Sequence, residues 1–270
     1  MQIDSIVQRL AAFLQSSHPS ILVKISKTEG STPRDNDAYL LVNPEATAGT
    51  IGGGQLEFHA IDIARNMLAN GEEFRQLEMA LGPHLGQCCG GSVSLNFVKV
   101  TSEISRELLQ SANKAAHLQP KIAIFGAGHT GKALCDQLAL LPFAVSLIDD
   151  RPDVFVGVSA NISQIHSPDP ENLVSSAPHT AAFIVLTHSH SLDYAITAAA
   201  LKQSKAAYVG MIGSATKRAL FTRWFLQSGG TQTQLERLKC PIGGTEIVDK
   251  RPEIIAALTI AELIRVLSIG

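Results

Sequence analysis

The sequence predicts an α/β protein with an N-terminal mixed α/β domain followed by a Rossmann-like, doubly wound parallel-sheet domain. Three observations support this prediction. Apolar residues make up 45% of the 270 residues and charged residues 17%, which is enough apolar material for folded cores. After a short linker at 117–120, strand and helix patterns alternate regularly. The first strand of this series leads through a glycine-rich loop into a helix. We therefore place the two domains at 1–116 and 117–270.

The elements of the first domain follow from its apolar periodicity. Residues 4–16 repeat apolar side chains at helical spacing. A longer helix begins after three glycines and is expected to end at Gly71, because glycine often terminates helices. The remaining elements are the strands ILVKISKT, AYLLVN, FRQLEMAL and SVSLNFVKV and the helix ISRELLQSANKAAH.

The second domain repeats strand–helix units joined by short loops, which predicts a parallel sheet covered on both faces. The last helix is strongly apolar and is compatible with a homodimer or with a packed monomer. In chain order the elements are the strand KIAIF, the helix HTGKALCDQLALL, the strands AVSLIDDR and SQIHS, the short helix PENLVSSA, the strand AAFIVLTHS, the helix LDYAITAAALKQS, the strand AAYVGMIGS, and the helices ATKRALFTRWFLQSG and PEIIAALTIAELIRVLS.

Charge and hydropathy exclude several classes of protein. The net charge is −2 and no basic run is present, which disfavours binding to nucleic acid. No stretch approaches the ~20 apolar residues that span a bilayer, and the N-terminus lacks a signal-peptide core. We therefore expect a cytoplasmic protein without membrane contact. The four cysteines, Cys88, Cys89, Cys135 and Cys240, form no disulfide framework, so free thiols or a site cysteine are expected.

The glycine-rich loop of the second domain has the spacing of a dinucleotide-binding fingerprint. Gly126 would permit the tight turn, Gly128 the approach of a phosphate, and Gly131 the close packing of helix on strand. The following helix N-terminus offers N–H groups to an anion. The next strand ends in Asp149 and Asp150, where an acidic side chain suits a ribose 2′-hydroxyl, and Asp149 is the candidate. The alternative is that the glycines serve packing alone and no nucleotide binds.

A second glycine-rich loop, GTIGGGQLE, lies in the first domain. Gly52, Gly53 and Gly54 precede Gln55 at the mouth of a helix. Three consecutive glycines lose much conformational entropy on ordering, which is tolerated where backbone lies against a ligand or another chain. The exposed N–H groups are candidates for binding an anion. A tight strand-to-helix turn is the alternative interpretation.

The segment GQCCGG places two adjacent cysteines between glycines. At least one thiol of Cys88 and Cys89 is expected to reach solvent or a ligand, and thiolates suit soft, sulfur-rich metal centres. Structural zinc is disfavoured because no second cysteine pair is present. A buried loop of small residues or a redox-active pair are the alternatives. The loops GSTPR, with Arg34, and CPIGG, with Cys240, are candidates for the same neighbourhood.

A histidine motif follows the strand AAFIVLTHS. His188 and His190 partly match the T-H-x-H-x-D-H motif of metallo-β-lactamase-type hydrolases, but Asp193 is one residue too late and Tyr194 replaces the last histidine. A dinuclear metal site is therefore not expected. His188 still lies at the carboxyl end of a strand, where ligands of open α/β sheets bind. The alternative is a pair of exposed loop histidines.

Taken together, these segments resemble the XdhC/CoxI family, the accessory proteins of xanthine dehydrogenase and related molybdenum hydroxylases. The matching segments run in family order from about residue 21 to 268. They are GSTPR, GTIGGGQLE, GQCCGG, IFGAGHTGKAL, LIDDRPD, VLTHSHSLDYA, YVGMIGSATKR and CPIGG…KRPEIIAALTIAEL. The family pattern often reads C-P-I-G-L with a short spacing to a G-K-x-P-x-E-I segment, and CPIGGTEIVDKRPEII departs slightly from that pattern.

The resemblance implies a carrier rather than an ordinary enzyme. Such proteins bind the molybdenum cofactor, a molybdopterin, protect it while a cysteine desulfurase installs its sulfido ligand, and deliver it to the hydroxylase apo-enzyme. The family's cofactor-holding cysteine corresponds to Cys88 or Cys89, as the ligand of the molybdenum. Two other hypotheses rest on the Rossmann half: an NAD(P)-dependent oxidoreductase, and a non-catalytic sensor that binds NAD(P) or another nucleotide and regulates a second enzyme.

Overall fold

The computed structural model describes residues 6–29, 38–81 and 91–267. They group into two compact units, the first reaching Lys114 and the second beginning at Ala115. The predicted fold class is confirmed: the first unit holds a five-stranded antiparallel sheet and the second a six-stranded parallel sheet, each with helices. Within the described ranges no helix is long and apolar enough to cross a membrane.

In the described part of the first unit, three helices pack on the two faces of the sheet. The strand order is β3-β2-β1-β5-β4, and every neighbouring pair is antiparallel. Its elements are α1 (Ile6–Leu14), β1 (Ile21–Glu29), β2 (Tyr39–Val42), β3 (Thr47–Gly49), α2 (Gly54–Asn70), β4 (Phe74–Leu81), β5 (Gly91–Lys99) and α3 (Ser102–Leu118).

The two faces of this sheet carry separate cores, because neighbouring side chains along a strand point to opposite faces. One face packs against α2, whose buried residues recur every three or four positions. On the other face, Leu22 and Leu41 cluster with Leu10 of α1 and Leu108 of α3. Gly71 ends α2 in the left-handed conformation, as predicted.

The second unit alternates strands and helices. Its elements are β6 (Lys121–Phe125), α4 (His129–Leu138), β7 (Ala144–Asp149), β8 (Ser163–His166), α5 (Leu173–Ser176), β9 (Ala182–Val185), α6 (His190–Lys202), β10 (Tyr208–Met211), α7 (Ala215–Gln227), α8 (Gln232–Glu236), β11 (Leu238–Lys239) and α9 (Pro252–Leu267). The sequence did not predict β3, α8 or β11. Each of them has five residues or fewer, too few for a periodic pattern to develop.

The parallel sheet has the strand order β11-β10-β9-β6-β7-β8. This is the order of a doubly wound Rossmann sheet, in which the chain starts at the centre and builds outward in both directions. The direction of winding reverses between β6 and β9, and ligands of such sheets bind at the carboxyl ends of the strands beside that point. The loops after β6, β7 and β9 are therefore the first place to look for a site.

Candidate functional site

Two of the three fingerprint glycines are required by packing. Gly126 follows β6 with φ of +119°, and a Cβ placed there would lie 2.3 Å from the carbonyl oxygen of Leu186. A Cβ at Gly131 would lie 2.0 Å from the carbonyl oxygen of Gly126. Contacts this short do not occur, so a side chain at either position would push apart the loop, β9 and α4. The fold alone therefore explains Gly126 and Gly131.

Gly128 has no such structural explanation. It caps α4 with φ of −75° and ψ of −172°, an extended conformation open to any residue, and a Cβ there would meet no atom within 4 Å. No side chain caps the helix, so the first N–H groups of α4 are left to another acceptor. The absence of a side chain at Gly128 keeps the mouth of α4 open to a ligand.

The carboxylate of Asp149 accepts hydrogen bonds from the glycine loop and from Arg151. Its Oδ2 accepts hydrogen bonds from the Ala127 N–H (2.7 Å) and Arg151 Nη2 (3.0 Å), and its Oδ1 accepts from the N–H (3.0 Å) and Nε (2.9 Å) of Arg151. Burial opposes ionisation, but these donors outweigh it and lower the pKa of Asp149 to about 2. The structure thus gives Asp149 a different task from the predicted ribose contact: it anchors the glycine loop through Ala127.

Asp150 and His188 meet above the end of the sheet. Asp150 follows β7, His188 follows β9, and the Nδ1 of His188 lies 3.5 Å from the Oδ1 of Asp150. The side chains are 28% and 46% exposed respectively, so both present polar atoms to solvent. A ring nitrogen of His166 lies 3.2 Å from the Asp150 carbonyl oxygen. The sequence singled out His188 and noted the acidic strand end Asp149-Asp150, but it did not predict that Asp150 lies directly beside His188.

A metal ion does not suit this group. One ligand atom each from Asp149, Asp150 and His188 can be chosen within 4.8 Å of one another. Four N–H donors already use the lone pairs of Asp149, however, so only Asp150 and His188 have free ligand atoms. Two ligands fall short of the three or four that protein metal sites supply. The pair is better suited to hydrogen bonding with a polar ligand.

A buried ion pair holds the loop that carries His188. Asp193, on α6, accepts hydrogen bonds at Oδ1 from the N–H and the hydroxyl of Thr187, both at 2.8 Å. Its Oδ2 pairs with Lys217 of α7, and the two side chains are 1% and 11% exposed. A side chain at Gly213 would collide with Lys217, whose Cδ would lie 2.7 Å from the new Cβ. In the sequence, Asp193 stands one residue too late for the metal ligand of the T-H-x-H-x-D-H motif. In the structure, its carboxylate holds the backbone and the hydroxyl of Thr187 in place.

The glycine loop of the first unit differs from that of the second. All three glycines have positive φ: 128° at Gly52, 77° at Gly53 and 66° at Gly54. Glu57 bends back so that its Oε1 accepts from the Ile51 N–H at 3.3 Å. No side chain caps α2, and Gln55 in its first turn is exposed. The N-terminus of α2 therefore offers backbone N–H groups, and the segment before it has a backbone conformation that residues other than glycine adopt only under strain.

The cysteines divide into two kinds. Cys88 and Cys89 lie outside the described residues, as does Arg34. Cys135 and Cys240 are buried free thiols of the second unit. Burial, with a smaller effect of Asp136, raises the pKa of Cys135 to about 12, and burial also raises that of Cys240. Both thiols are therefore neutral and out of reach of a ligand.

Comparison with known proteins gives three findings. A family model described as the XdhC Rossmann domain matches residues 122–263, more than half of the chain, and one described as the XdhC and CoxI family matches residues 13–78. The uncharacterized protein YqeB of Escherichia coli K12 is 24% identical over 274 residues, which cover 97% of this chain and 46% of YqeB. The chain thus spans about half the length of that relative.

A crystal structure described as a xanthine dehydrogenase from Bacillus halodurans has the same fold. It matches with a TM-score of 0.78 and 18% identity, covering 98% of this chain and 96% of that one. At this identity the likeness concerns the fold alone.

Proposed function

The chain belongs to the XdhC and CoxI family, and we propose on that premise that it binds the molybdenum cofactor, protects it during sulfuration by a cysteine desulfurase, and inserts it into a xanthine dehydrogenase-like hydroxylase. Family membership supports an accessory role beside enzymes of the xanthine dehydrogenase type. The molybdenum cofactor is the cargo of this protein, and the hydroxylase apo-enzyme is its destination.

The observation that carries the proposal is the glycine loop before α2. Gly52, Gly53 and Gly54 all hold conformations that favour glycine, and the helix they precede has no side-chain cap. Unpaired N–H groups at a helix N-terminus bind phosphate well, and the pterin cofactor carries a phosphate or a nucleotide tail. Gln55 is exposed at the same helix mouth and can add a side-chain hydrogen bond.

Binding of the molybdenum by a thiolate would involve the adjacent cysteines Cys88 and Cys89. A soft metal–sulfur centre favours a thiolate ligand. Cys135 and Cys240 are buried, and desolvation keeps their thiols protonated. If a thiol of this chain holds the molybdenum, it therefore belongs to Cys88 or Cys89.

The test is retention of molybdenum. The protein is incubated anaerobically with isolated molybdenum cofactor, separated from free cofactor by gel filtration, and analysed for molybdenum per chain. We expect near-stoichiometric retention that Cys88→Ala or Cys89→Ala abolishes, while the buried-thiol control Cys135→Ala retains it. Absence of molybdenum from the native protein would contradict the proposal.

A second candidate function belongs to the Rossmann unit, where Gly128 is the specific observation. Because neither backbone conformation nor packing requires glycine there, the open mouth of α4 favours a nucleotide or phosphate ligand. Two versions are distinguishable: an NAD(P)-dependent oxidoreductase would turn over its nicotinamide cofactor with a substrate, whereas a sensor would bind a nucleotide unchanged. Nicotinamide fluorescence in the presence of the protein reports binding, and its decay with added substrates reports turnover.

A further inference from the structure

We propose that the exposed side of α7 is a docking surface for the hydroxylase apo-enzyme, which meets it with a carboxylate set among apolar side chains. This surface, called the α7 face below, consists of Leu220, Arg223, Trp224 and Leu226. The identity of the partner rests on the proposed function, whereas the position and the chemistry of the surface come from the structure.

The helix α7 buries little of its apolar surface. Of its 13 residues, only Phe221 and Phe225 are buried, and both pack into the core on one side of the parallel sheet. Leu220, Trp224 and Leu226 remain 57%, 37% and 42% exposed. Large apolar side chains exposed together on one element indicate an interaction surface, whereas single ones scattered over a protein need no explanation.

Trp224 is held in position by other aromatic rings. Its ring centroid lies 5.4 Å from that of Tyr194 and 6.0 Å from that of Phe221, and the latter two centroids lie 5.2 Å apart. A side chain that is already fixed loses little conformational entropy when a partner covers it. Tryptophan and arginine are also enriched among the residues that contribute most to protein–protein binding. Trp224 is therefore suited to act as an anchor.

Arg223 determines what the partner must offer. It lies three residues from Leu220 on one side and from Leu226 on the other, so it is surrounded by apolar side chains on the helix surface. Arg223 is exposed and forms no ion pair with any described residue. The helix contains no acidic residue, and its Lys217 is already paired with Asp193. A protein that covers this face would strip water from the guanidinium, so it must present a carboxylate there.

A second copy of the chain does not meet this requirement through the same face. In a two-fold contact between two α7 helices, Arg223 and Arg218 of one copy would face the same two arginines of the other, with no acid on either helix. The helix is about 20 Å long and about 10 Å wide, so its face covers on the order of 200 Å². A stable interface buries about 800 Å² on each partner. The α7 face therefore suits a complex that forms and dissociates, as delivery of a cargo requires.

The experiment measures binding of the full chain to a purified apo-hydroxylase of the xanthine dehydrogenase type by calorimetry. Arg223→Glu, which opposes a carboxylate, and Leu220→Ser, which removes apolar contact area, should each raise the dissociation constant about tenfold or more. Arg265→Glu and Leu140→Ser are matched controls, because both residues are exposed and lie outside α7, and both variants should bind like the native chain. Melting temperatures show that each variant is folded.

A footprinting experiment locates the contact. Trp224 is the single tryptophan of the chain, so its oxidation by hydroxyl radicals is assigned without ambiguity in mass spectra. Oxidation of Trp224 should slow when the apo-enzyme is added, while oxidation of Leu140 should not change. Unprotected Trp224 in a saturated complex would place the contact elsewhere and overturn the assignment.

The outcomes separate this inference from the proposed function. Native affinity in folded Arg223→Glu and Leu220→Ser proteins, or no binding of the native chain to the apo-enzyme, would overturn the docking face while molybdenum retention stands. Loss of molybdenum retention with docking intact would overturn the carrier function instead. Self-association, or binding to phosphatidylglycerol vesicles, that depends on Leu220 and Arg223 in the absence of apo-enzyme binding would assign the face to a second copy or to a lipid surface, and would also overturn the inference.

Discussion

The two glycine-rich loops of this protein use the same residue for different physical reasons. In the first unit, Gly52, Gly53 and Gly54 all adopt positive φ, so the path of the backbone explains them. In the second unit, Gly126 and Gly131 are explained by atoms that a side chain would strike. Gly128 is explained by neither. A glycine therefore indicates a ligand most clearly where its own conformation and its neighbours leave room for a side chain.

The loops also differ in how they are held. The loop after β6 is anchored by the buried carboxylate of Asp149, and the neighbouring loop after β9 is anchored by that of Asp193. In the first unit, the loop is held by weaker side-chain contacts: the half-buried Glu57 accepts from the Ile51 N–H at 3.3 Å, and the Thr50 hydroxyl accepts from the Gly52 N–H at 3.2 Å. We therefore expect substitutions of the packed glycines and of the two anchoring carboxylates to act mainly on stability, whereas Gly128→Ala should act mainly on ligand binding.

The largest effect is expected for Gly126→Ala. The added methyl would lie 2.3 Å from the Leu186 carbonyl oxygen and would have to adopt φ of +119°. Backbone strain and overpacking together should lower the free energy of unfolding by about 4 kcal/mol. Chemical denaturation measures this loss. A loss below about 1 kcal/mol would mean that the loop is less constrained than the packing indicates.

The next effect is expected for Asp193→Ala, which leaves Lys217 buried without its partner and Thr187 without its acceptor. Removing one member of a buried ion pair costs about 3 kcal/mol. The exposed acid Asp136 provides the control, since Asp136→Ala should change stability by less than about 0.5 kcal/mol. The double variant with Lys217→Met should be more stable than Asp193→Ala alone. Equal losses for Asp193→Ala and Asp136→Ala would refute the anchoring role.

A smaller, pH-dependent effect is expected for Asp149→Asn. The folded-state pKa of Asp149 is about 2, below the ordinary value of 3.8. A lowered pKa means that ionised Asp149 stabilises the fold above pH 3.8, and that this contribution is lost as the pH falls from about 4 towards 2. The difference corresponds to about 2 kcal/mol. Denaturation at pH 7 and at pH 3 should show a gap between native and variant protein that narrows at the lower pH; a gap independent of pH would contradict the charge-based anchor.

The smallest effect on stability, and the most informative, is expected for Gly128→Ala. No atom lies within 4 Å of the new methyl and φ is −75°, so the free energy of unfolding should change by less than about 0.5 kcal/mol. Nucleotide affinity should fall at least tenfold, because the methyl intrudes where the phosphate approaches. Retained affinity would remove the main reason for expecting a nucleotide.

The regular parts of the fold were predictable because their signals are local. The strand FRQLEMAL corresponds to β4 over Phe74–Leu81, and Gly71 ends α2 as expected. The function of Asp149 was not predictable in the same way. Its spacing after the glycine loop is that of a ribose ligand, but its oxygens are taken by Ala127 and Arg151. Only the fold brings the Ala127 N–H, 22 residues earlier, into contact.

The roles of Asp193 and Lys217 depend even more on tertiary structure. The two residues lie 24 positions apart on the consecutive helices α6 and α7, and neither is part of a familiar catalytic motif. A charged residue within the apolar helix LDYAITAAALK is a sign of a buried partner, but it does not say which one. Likewise, the contact between Asp150 and His188 was not predictable, because the two residues follow different strands and only the fold brings them together.

The proposal that this chain delivers the molybdenum cofactor is tested most directly by activation of a hydroxylase. A purified apo-enzyme of the xanthine dehydrogenase type is mixed anaerobically with sulfurated cofactor, either free or preloaded on this protein in equal amount, and urate formation from xanthine is followed. Preloaded cofactor should activate the apo-enzyme faster and more completely than free cofactor, and Cys88→Ala or Cys89→Ala should remove the advantage. Activation equal to that by free cofactor would contradict the proposal.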